Sequence, residues 1–337
     1  MPWVPATSEH IPSIRQHFAR LRESQSQNVS YLREPGVLEF HADRIIQSLT
    51  NPAGDPSLMV FPGGFEVLAL AGISPSPWHS RHFGIDYYKI QPFFCFTEDP
   101  SVIEALVCGL REPCGGRDSL YAFRVAACHS ALVYHLGRHG FTFVGTSVRM
   151  EIPLAKKSII DTMPSASYDT LPIRDFKETD LPRLQDIIRR SHKHSHFFCE
   201  VRFSPERVRD LFAEWIRKSA QGLAHKILVA EFEGEIGGFC SIFLNSSLYP
   251  YIRKSIGIID FIVVDARRQG KGAGKQLLQA TFTELAGKAD VVELRTMADN
   301  LAAIRFYEKN GFRILSADQH FHYWTDPADR GKKNVNV

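Results

Sequence analysis

No two cysteines in this chain stand in a CxxC pair. Its six (Cys95, Cys108, Cys114, Cys128, Cys199 and Cys240) are scattered through 337 residues, and they read as buried or free thiols rather than a disulfide framework. Long apolar runs are missing as well. The longest stretches, such as Ile256 to Val264, fall far short of the roughly 20 residues a membrane span needs. The N-terminus MPWVPATSEH has no basic flank leading into an apolar core, so nothing there reads as a secretion signal, and the expected setting is the cytoplasm. Charge of one sign is scarce too. A net charge of +3 gives no footprint for nucleic acid, so any basic site must be local.

What is present is core-forming material and an echo. With 44% hydrophobic residues the chain can bury a full core, and at roughly 150 residues per domain its length predicts two domains. A helix pattern with a cap signal at Thr7/Ser8 carries Ile11, Ile14, Phe18 and Leu21 on one face. Leu58 to Ile73 reads as a hairpin around Pro62-Gly63-Gly64, and Ile227 to Phe243 repeats that pattern around Gly234. ALVYHLGRHGFTFV, from Ala131, is echoed by AIRFYEKNGFRIL, from Ala303; each is a helix pattern ended by Gly-Phe and followed by a strand. Gly140 and Gly311 lie 171 residues apart, Gly64 and Gly234 170 apart, which is the period of a duplicated domain and not of a solenoid. PLAKKSIIDTMPSASYDTLPIR, between the halves, reads as a linker.

In the second half, Asp180 to Arg190 and Ser204 to Lys218 read as helices, the latter capped by Ser204 with Pro205 in its first turn. After the hairpin come a buried strand (Ile256 to Val264), a glycine-rich loop, a helix (Gly274 to Ala286) and a strand (Val291 to Thr296). A further helix (Leu301 to Asn310) and strands within Phe312 to Thr325 complete it.

RRQGKGAGKQLL, from Arg267, carries the chemistry. The dinucleotide fingerprint started at Gly270 would need glycine where Lys275 stands, and the P-loop would need Ser or Thr where Gln276 stands. What remains is Q-x-x-G-x-G over Gln269 to Gly274, with Arg267-x-x-Gly270-x-Gly272 in a second register. A buried strand feeding such a loop and then a helix aims free backbone N–H groups at one point, where the helix dipole also favours an anion. Each hydrogen bond to a charged oxygen contributes about 1.5–3 kcal/mol, so a few hold a pyrophosphate without a metal. Glycine keeps Cβ atoms out of the phosphate's way.

VVDARRQGKGAGKQLL followed by NLAAIRFYEKNGF resembles the two signature segments of the GNAT superfamily of N-acetyltransferases, an R/Q-x-x-G-x-G/A loop and an N-x-x-A-x-x-x-Y-x-x-x-G-F helix. The resemblance covers about residues 172 to 325. It implies acetyl-CoA as cosubstrate, with Val263 and Val264 offering backbone groups to the pantetheine arm. The pyrophosphate would be held by Arg268, Gln269, Gly270, Lys271, Gly272, Ala273, Gly274 and Lys275, with Asn300 and Ala303 also at the cofactor. Tyr307 would be the acid for the departing thiolate. A phenol near pKa 10 protonating a thiolate near 8.5 is uphill by roughly 2 kcal/mol, small enough for a site to offset. Asp260 interrupts an apolar strand, a costly place for a carboxylate unless paired or used. It reads equally as the general base, on the strand where many members carry a glutamate, or as a satisfied core aspartate. His192, His194 and His196 cluster in a loop, read as solvated or as acceptor contacts; no metal site is expected.

The implied fold class is α/β (an α+β mixed sheet) with tandem GNAT-like domains, residues 1–155 and 172–328, joined by a linker at 156–171 and followed by a disordered tail, 329–337. In the first half the offset puts Leu136 where Tyr307 stands and His129 where Asn300 stands, and no glycine loop precedes the helix in FFCFTEDPSVIEALVCGL. That half is expected to be degenerate and unable to bind CoA. PSPWHSRHFGIDYYKI and HSHFFCEVRFSPERVRDLFAEWIRKS resemble segments of the TDP-4-amino-sugar (TDP-fucosamine) acetyltransferase branch, with His82 where that branch tends to have phenylalanine. The expected acceptor is a small primary amine, such as a nucleotide-linked amino sugar. An amino acid, a polyamine or an aminoglycoside, or a non-catalytic acyl-CoA sensor, are the alternatives; oligomeric state is left open.

Overall fold

The computed structural model describes residues 2–24, 34–51, 57–64, 66–111, 114, 118–154 and 171–325. The expected linker therefore lies outside the described residues except for Leu171, and the expected tail lies wholly outside them. The chain divides into two units, Met1–Thr146 with Ala317–Val337, and Ser147–Ser316.

In the first unit the strands are β1 (Val4–Pro5), β2 (Leu58–Gly63), β3 (Glu66–Pro75), β4 (Asp86–Cys95) and β5 (Ser119–Ala126). Strand β6 (Thr142–Pro153) leaves that unit and enters the second. There it meets β7 (Ile173–Asp175), β8 (Lys226–Phe232), β9 (Glu235–Asn245), β10 (Ile256–Val264) and β11 (Val291–Met297). Strand β12 (Arg313–Thr325) then returns to the first unit. Hairpin β8–β9 turns on Glu233 (φ 51°) and Gly234 (φ 83°), two left-handed residues that match the strand twist.

The two units share one strand order. The first runs β1-β2-β3-β4-β5-β12, the second β7-β8-β9-β10-β11-β6; in each, only the pair in fourth and fifth place is parallel. The sixth place is exchanged. Strand β6 pairs β11 from Val291↔Pro153 to Met297↔Ser147, while β12 pairs β5 from Asp318↔Ala126 to Thr325↔Ser119. Each half of the chain thus donates its last strand to the other half's sheet. The expected domain ends at 155 and 328 differ from this division because strand pairing over such sequence distances leaves no local signal. Phe321 and Tyr323 are buried in the first unit's core beside Phe123 and Phe141.

Helices of the first unit are α1 (Ile11–Ser24), α2 (Pro35–Thr50), α3 (Pro77–Phe83), α4 (Pro100–Leu110) and α5 (Ser130–Arg138). The longer ones of the second are α6 (Leu181–Ser191), α7 (Pro205–Lys218), α8 (Ala273–Leu285) and α9 (Leu301–Lys309), with a single helical turn at Tyr249–Ile252. Ser204 caps α7 by accepting from the Arg207 amide, as its Ser-Pro start predicts. The WHSRHFG segment forms α3, closed by Gly84 in the left-handed conformation, with His79 and Phe83 buried. None of the described helices is long and apolar enough to cross a membrane.

Candidate active site

Strands β10 and β11 run side by side from Ile256↔Val291 to Ile259↔Leu294 and then part. The remaining residues of β10 stay paired to β9 on the other side, ending at Val263↔Phe239 and Val264↔Gly238. The edge of β10 facing the gap therefore offers backbone groups that no strand uses. A register shift in the β9–β10 ladder between Ile259 and Phe261 leaves Asp260 as the extra residue of a bulge at the mouth of this gap.

The gap opens into a cavity of about 830 Å³. Val263 and Val264 line one wall, and the loop lines another through Arg268, Gln269, Gly270 and Gly272. The first turn of α8 contributes Ala273, Gly274 and Lys275, and α9 contributes Asn300, Ala303 and Tyr307. Lys271 is exposed and Asp260 is half-buried; neither belongs to the lining.

The loop is held from below. Asp265 is buried, accepts from the Arg267 amide at 3.1 Å and pairs with the guanidinium groups of Arg267 at 3.0 Å and Arg183 at 2.8 Å. The Arg267 bonds, aided by Arg183, hold its carboxyl far below the usual range. Gly270 (φ 78°) and Gly272 (φ 80°) are left-handed, and nothing lies within 4 Å of where a Cβ on Gly270 would stand. Backbone conformation, more than crowding, is what demands glycine at 270. Gly272 caps α8 without a side-chain hydrogen bond, so the first-turn amides are free to meet an anion.

Three expected cofactor residues also do structural work. Arg268 extends to the β8–β9 turn, pairing with Glu235 at 2.7 Å and lying over the Phe232 ring. Gln269 donates to the Val264 carbonyl at 3.1 Å, tying loop to strand. Asn300 caps α9, accepting from the Ala303 amide at 3.3 Å and donating to Thr296 at 3.1 Å.

Tyr307 is 6% exposed, packed against Phe306 and Phe312, and burial raises its phenol pKa. Asp260 is buried enough that its pKa is pushed up to about 7, against the pull of the neighbouring Trp215 and Ser241 side chains. One of its oxygens has no hydrogen-bond partner among the described residues. His192 and His194 line the cavity, which their alternation in a loop left undecided, whereas His196 does not. His192 stands edge-on to Phe212 and Phe261, and burial, with the His194 charge, lowers its pKa to about 4, so it is neutral at pH 7. Ser191, Lys193, Phe306 and Asn310 also line the cavity and carried no sequence signal beyond their nearness to the motifs.

The first unit's counterpart differs at the helix start. Its strands β4 and β5 also part, after Ile90↔Phe123, but α4 is capped by Asp99, whose carboxylate accepts from the Ser101 amide at 2.9 Å. A phosphate there would meet a carboxylate already seated on the helix amides.

Residues 181–312 match the model of the Acetyltransferase (GNAT) family. Residues 181–312 therefore form a GNAT domain. The GNAT match falls within the second half and contains the whole cavity. Spore coat polysaccharide biosynthesis protein SpsD of Bacillus subtilis is 26% identical over 167 residues, 48% of this chain and 55% of SpsD. Spermine/spermidine N(1)-acetyltransferase of the same organism is 32% identical over 85 residues, 25% of this chain and 56% of the relative. The chain thus spans little more than half the length of these relatives. In fold it is similar over 96% of its length to a GCN5-related N-acetyltransferase from Sphaerobacter thermophilus, with TM-score 0.60, 17% identity and 96% of that chain covered. A tandem GNAT protein from the clavulanic acid biosynthesis pathway superposes with TM-score 0.54 and 12% identity, over 96% of this chain and 98% of that one. The tandem GNAT architecture expected from the duplication is the one observed.

Proposed function

We propose that the second unit transfers an acetyl group from acetyl-CoA to the primary amine of a small molecule, by direct attack of the amine on the thioester. One observation carries the reading: a parted strand edge, an uncapped glycine loop and a buried tyrosine line a single cavity in a GNAT domain. The amides of Gly272 to Lys275 receive the pyrophosphate, and the free edge at Val263 and Val264 receives the pantetheine arm and polarises the thioester carbonyl.

Asp260 is the general base. A carboxyl with its pKa raised to about 7 is half ionised near neutral pH, where a base is most effective, whereas His192 at about 4 is too weak. Since the carboxylate is not part of the cavity lining, the amine's proton reaches it through water. Tyr307, kept protonated by burial, returns a proton to the departing thiolate.

The acceptor is one that carries negative charge, of which a nucleotide-linked amino sugar is the leading class. Beside the cavity, a pocket is lined by Arg189, Arg190, Lys193 and Arg209 with Asp186; although Arg189 pairs with Asp210, Arg190 with Asp186 and Arg209 with Glu206, the excess of cations on its lining favours an anion over a polyamine. The similarity to SpsD supports the same class. A screen of amines with a free-thiol readout, set against calorimetric binding of acetyl-CoA, tests the whole reading. Turnover of TDP-4-amino sugars ahead of spermidine and amino acids is expected. Binding of CoA with no turnover of any amine would make the domain a sensor instead.

A further inference from the structure

We propose that Glu104, His135 and His139 form a zinc site that braces α4 against α5 in the first unit. One donor atom from each of these side chains lies within 4.8 Å of the others. His139 Nε2 and a Glu104 oxygen stand 3.4 Å apart, close to the edge of about 3.3 Å between two ligands of a tetrahedral zinc ion. Neither that Nε2 nor His135 Nδ1 has a hydrogen-bond partner among the described residues, although both are buried atoms. His135 itself is only 8% exposed. A buried imidazole nitrogen without a partner is costly, and a metal ion satisfies it.

Local geometry supports the grouping. His135 lies in the last turn of α5 and His139, the C-cap, follows one turn later, so the two rings share a face, stacked at 6.3 Å. Glu104 comes from the neighbouring helix α4, on the side open to solvent. Two imidazoles and a carboxylate are borderline ligands suited to Zn²⁺, leaving the fourth position for water.

The position of the cluster explains why it is there. The spacing of 171 residues between Gly140 and Gly311 carries Glu104 onto Lys275, His135 onto Phe306 and His139 onto Asn310. All three of those residues line the cavity between α8 and α9 in the second unit. Where one half keeps its helix pair apart for a ligand, the other half draws the equivalent pair together with three donors. Neither the scattered cysteines nor His192 to His196 point to a metal, and this set comes from other elements.

The full chain, stripped with a chelator, is titrated with Zn²⁺ in competition with a chromophoric chelator. Co²⁺ substitution is followed by its visible absorption. One zinc per chain is expected, with tetrahedral Co²⁺ bands. Because His135 is buried and its replacement can unfold the unit, the variants are Glu104→Gln and His139→Gln, each verified as folded by circular dichroism. Each removes a direct ligand and is expected to weaken zinc by more than the about 10–100-fold typical of losing an outer partner. Zinc should raise the melting temperature of the native chain and of neither variant. Absence of stoichiometric binding, or affinity unchanged in both folded variants, would overturn the site and leave Glu104 and His139 as a simple ion pair.

Discussion

Ile259 and Leu294 are the last pair joining β10 to β11. Asp260, the next residue, is the bulge that ends the partnership, so one irregularity both frees the strand edge for a ligand and buries a carboxylate beside it. The site's opening and its base thus have a common structural origin.

Asp260 makes the pH dependence specific. With the carboxyl pKa raised to about 7, the active ionised form is lost as pH falls through 7, so kcat/KM should rise with unit slope up to about pH 7 and then level. Asp260→Asn should erase that limb and lower the plateau by about 10²-fold or more. The acceptor used should have an amine pKa well away from 7. Stability moves the other way. Between the unfolded carboxyl pKa and about 7, only the unfolded state is ionised, so the native chain loses stability as pH rises through that window. The Asn variant escapes this loss, and its melting temperature relative to the native chain should climb from pH 4 to 7. A variant that melts lower at every pH and keeps the limb would refute the assignment.

Tyr307→Phe isolates the acid. The ring packs between Phe306 and Phe312, contacts that phenylalanine keeps, so the variant should fold with a nearly unchanged melting temperature. The kcat should fall by about 10²-fold, within the usual range for a general acid, with KM for acetyl-CoA nearly constant. Stopped-flow release of thiol would expose the loss, and unchanged turnover would remove Tyr307 from the chemistry.

Gly270 tests the loop. There is room for a methyl group, so the penalty of Gly270→Ala comes from its φ of 78° alone, about 1–2 kcal/mol against binding-competent geometry. That predicts a roughly tenfold rise in the Kd for CoA by calorimetry. Gly270→Asn, which tolerates the left-handed region, should lie between native and Ala. Equal effects of the two would point to crowding by the ligand instead.

What was legible in the sequence was local. The glycine loop, the Asn300-to-Phe312 helix and the hairpins are each written within a dozen or so residues, where turn chemistry and helical spacing leave direct marks. Asp260 stood out because a charge inside IGIIDFIVV has to be explained, yet the bulge that buries it is a matter of pairing with β9. The same limit hid the exchange of β6 and β12 and the meeting of Glu104 with His139, since register between distant segments is set by packing and not by either segment's own pattern. His192 was visible as one of three alternating histidines, but only Phe212 and Phe261 packed around it fix it as neutral.

The exchanged strand yields the last prediction. Phe321 lies near the chain's C-terminal end but is 2% exposed in the first unit's core, edge-on to Phe143 at 5.8 Å and paired across to Phe123. Phe321→Ala should cost about 3–5 kcal/mol. Because stability is local to the unit that buries the ring, hydrogen exchange should accelerate in Ser119–Ala126. Amides of Val291–Met297 should keep their protection, and CoA affinity should stay within about twofold of native, since the cavity is built from the other unit. Loss of protection in Val291–Met297 with Ser119–Ala126 unaffected would mean that β12 closes the half of the chain that encodes it, and that the strands are not exchanged.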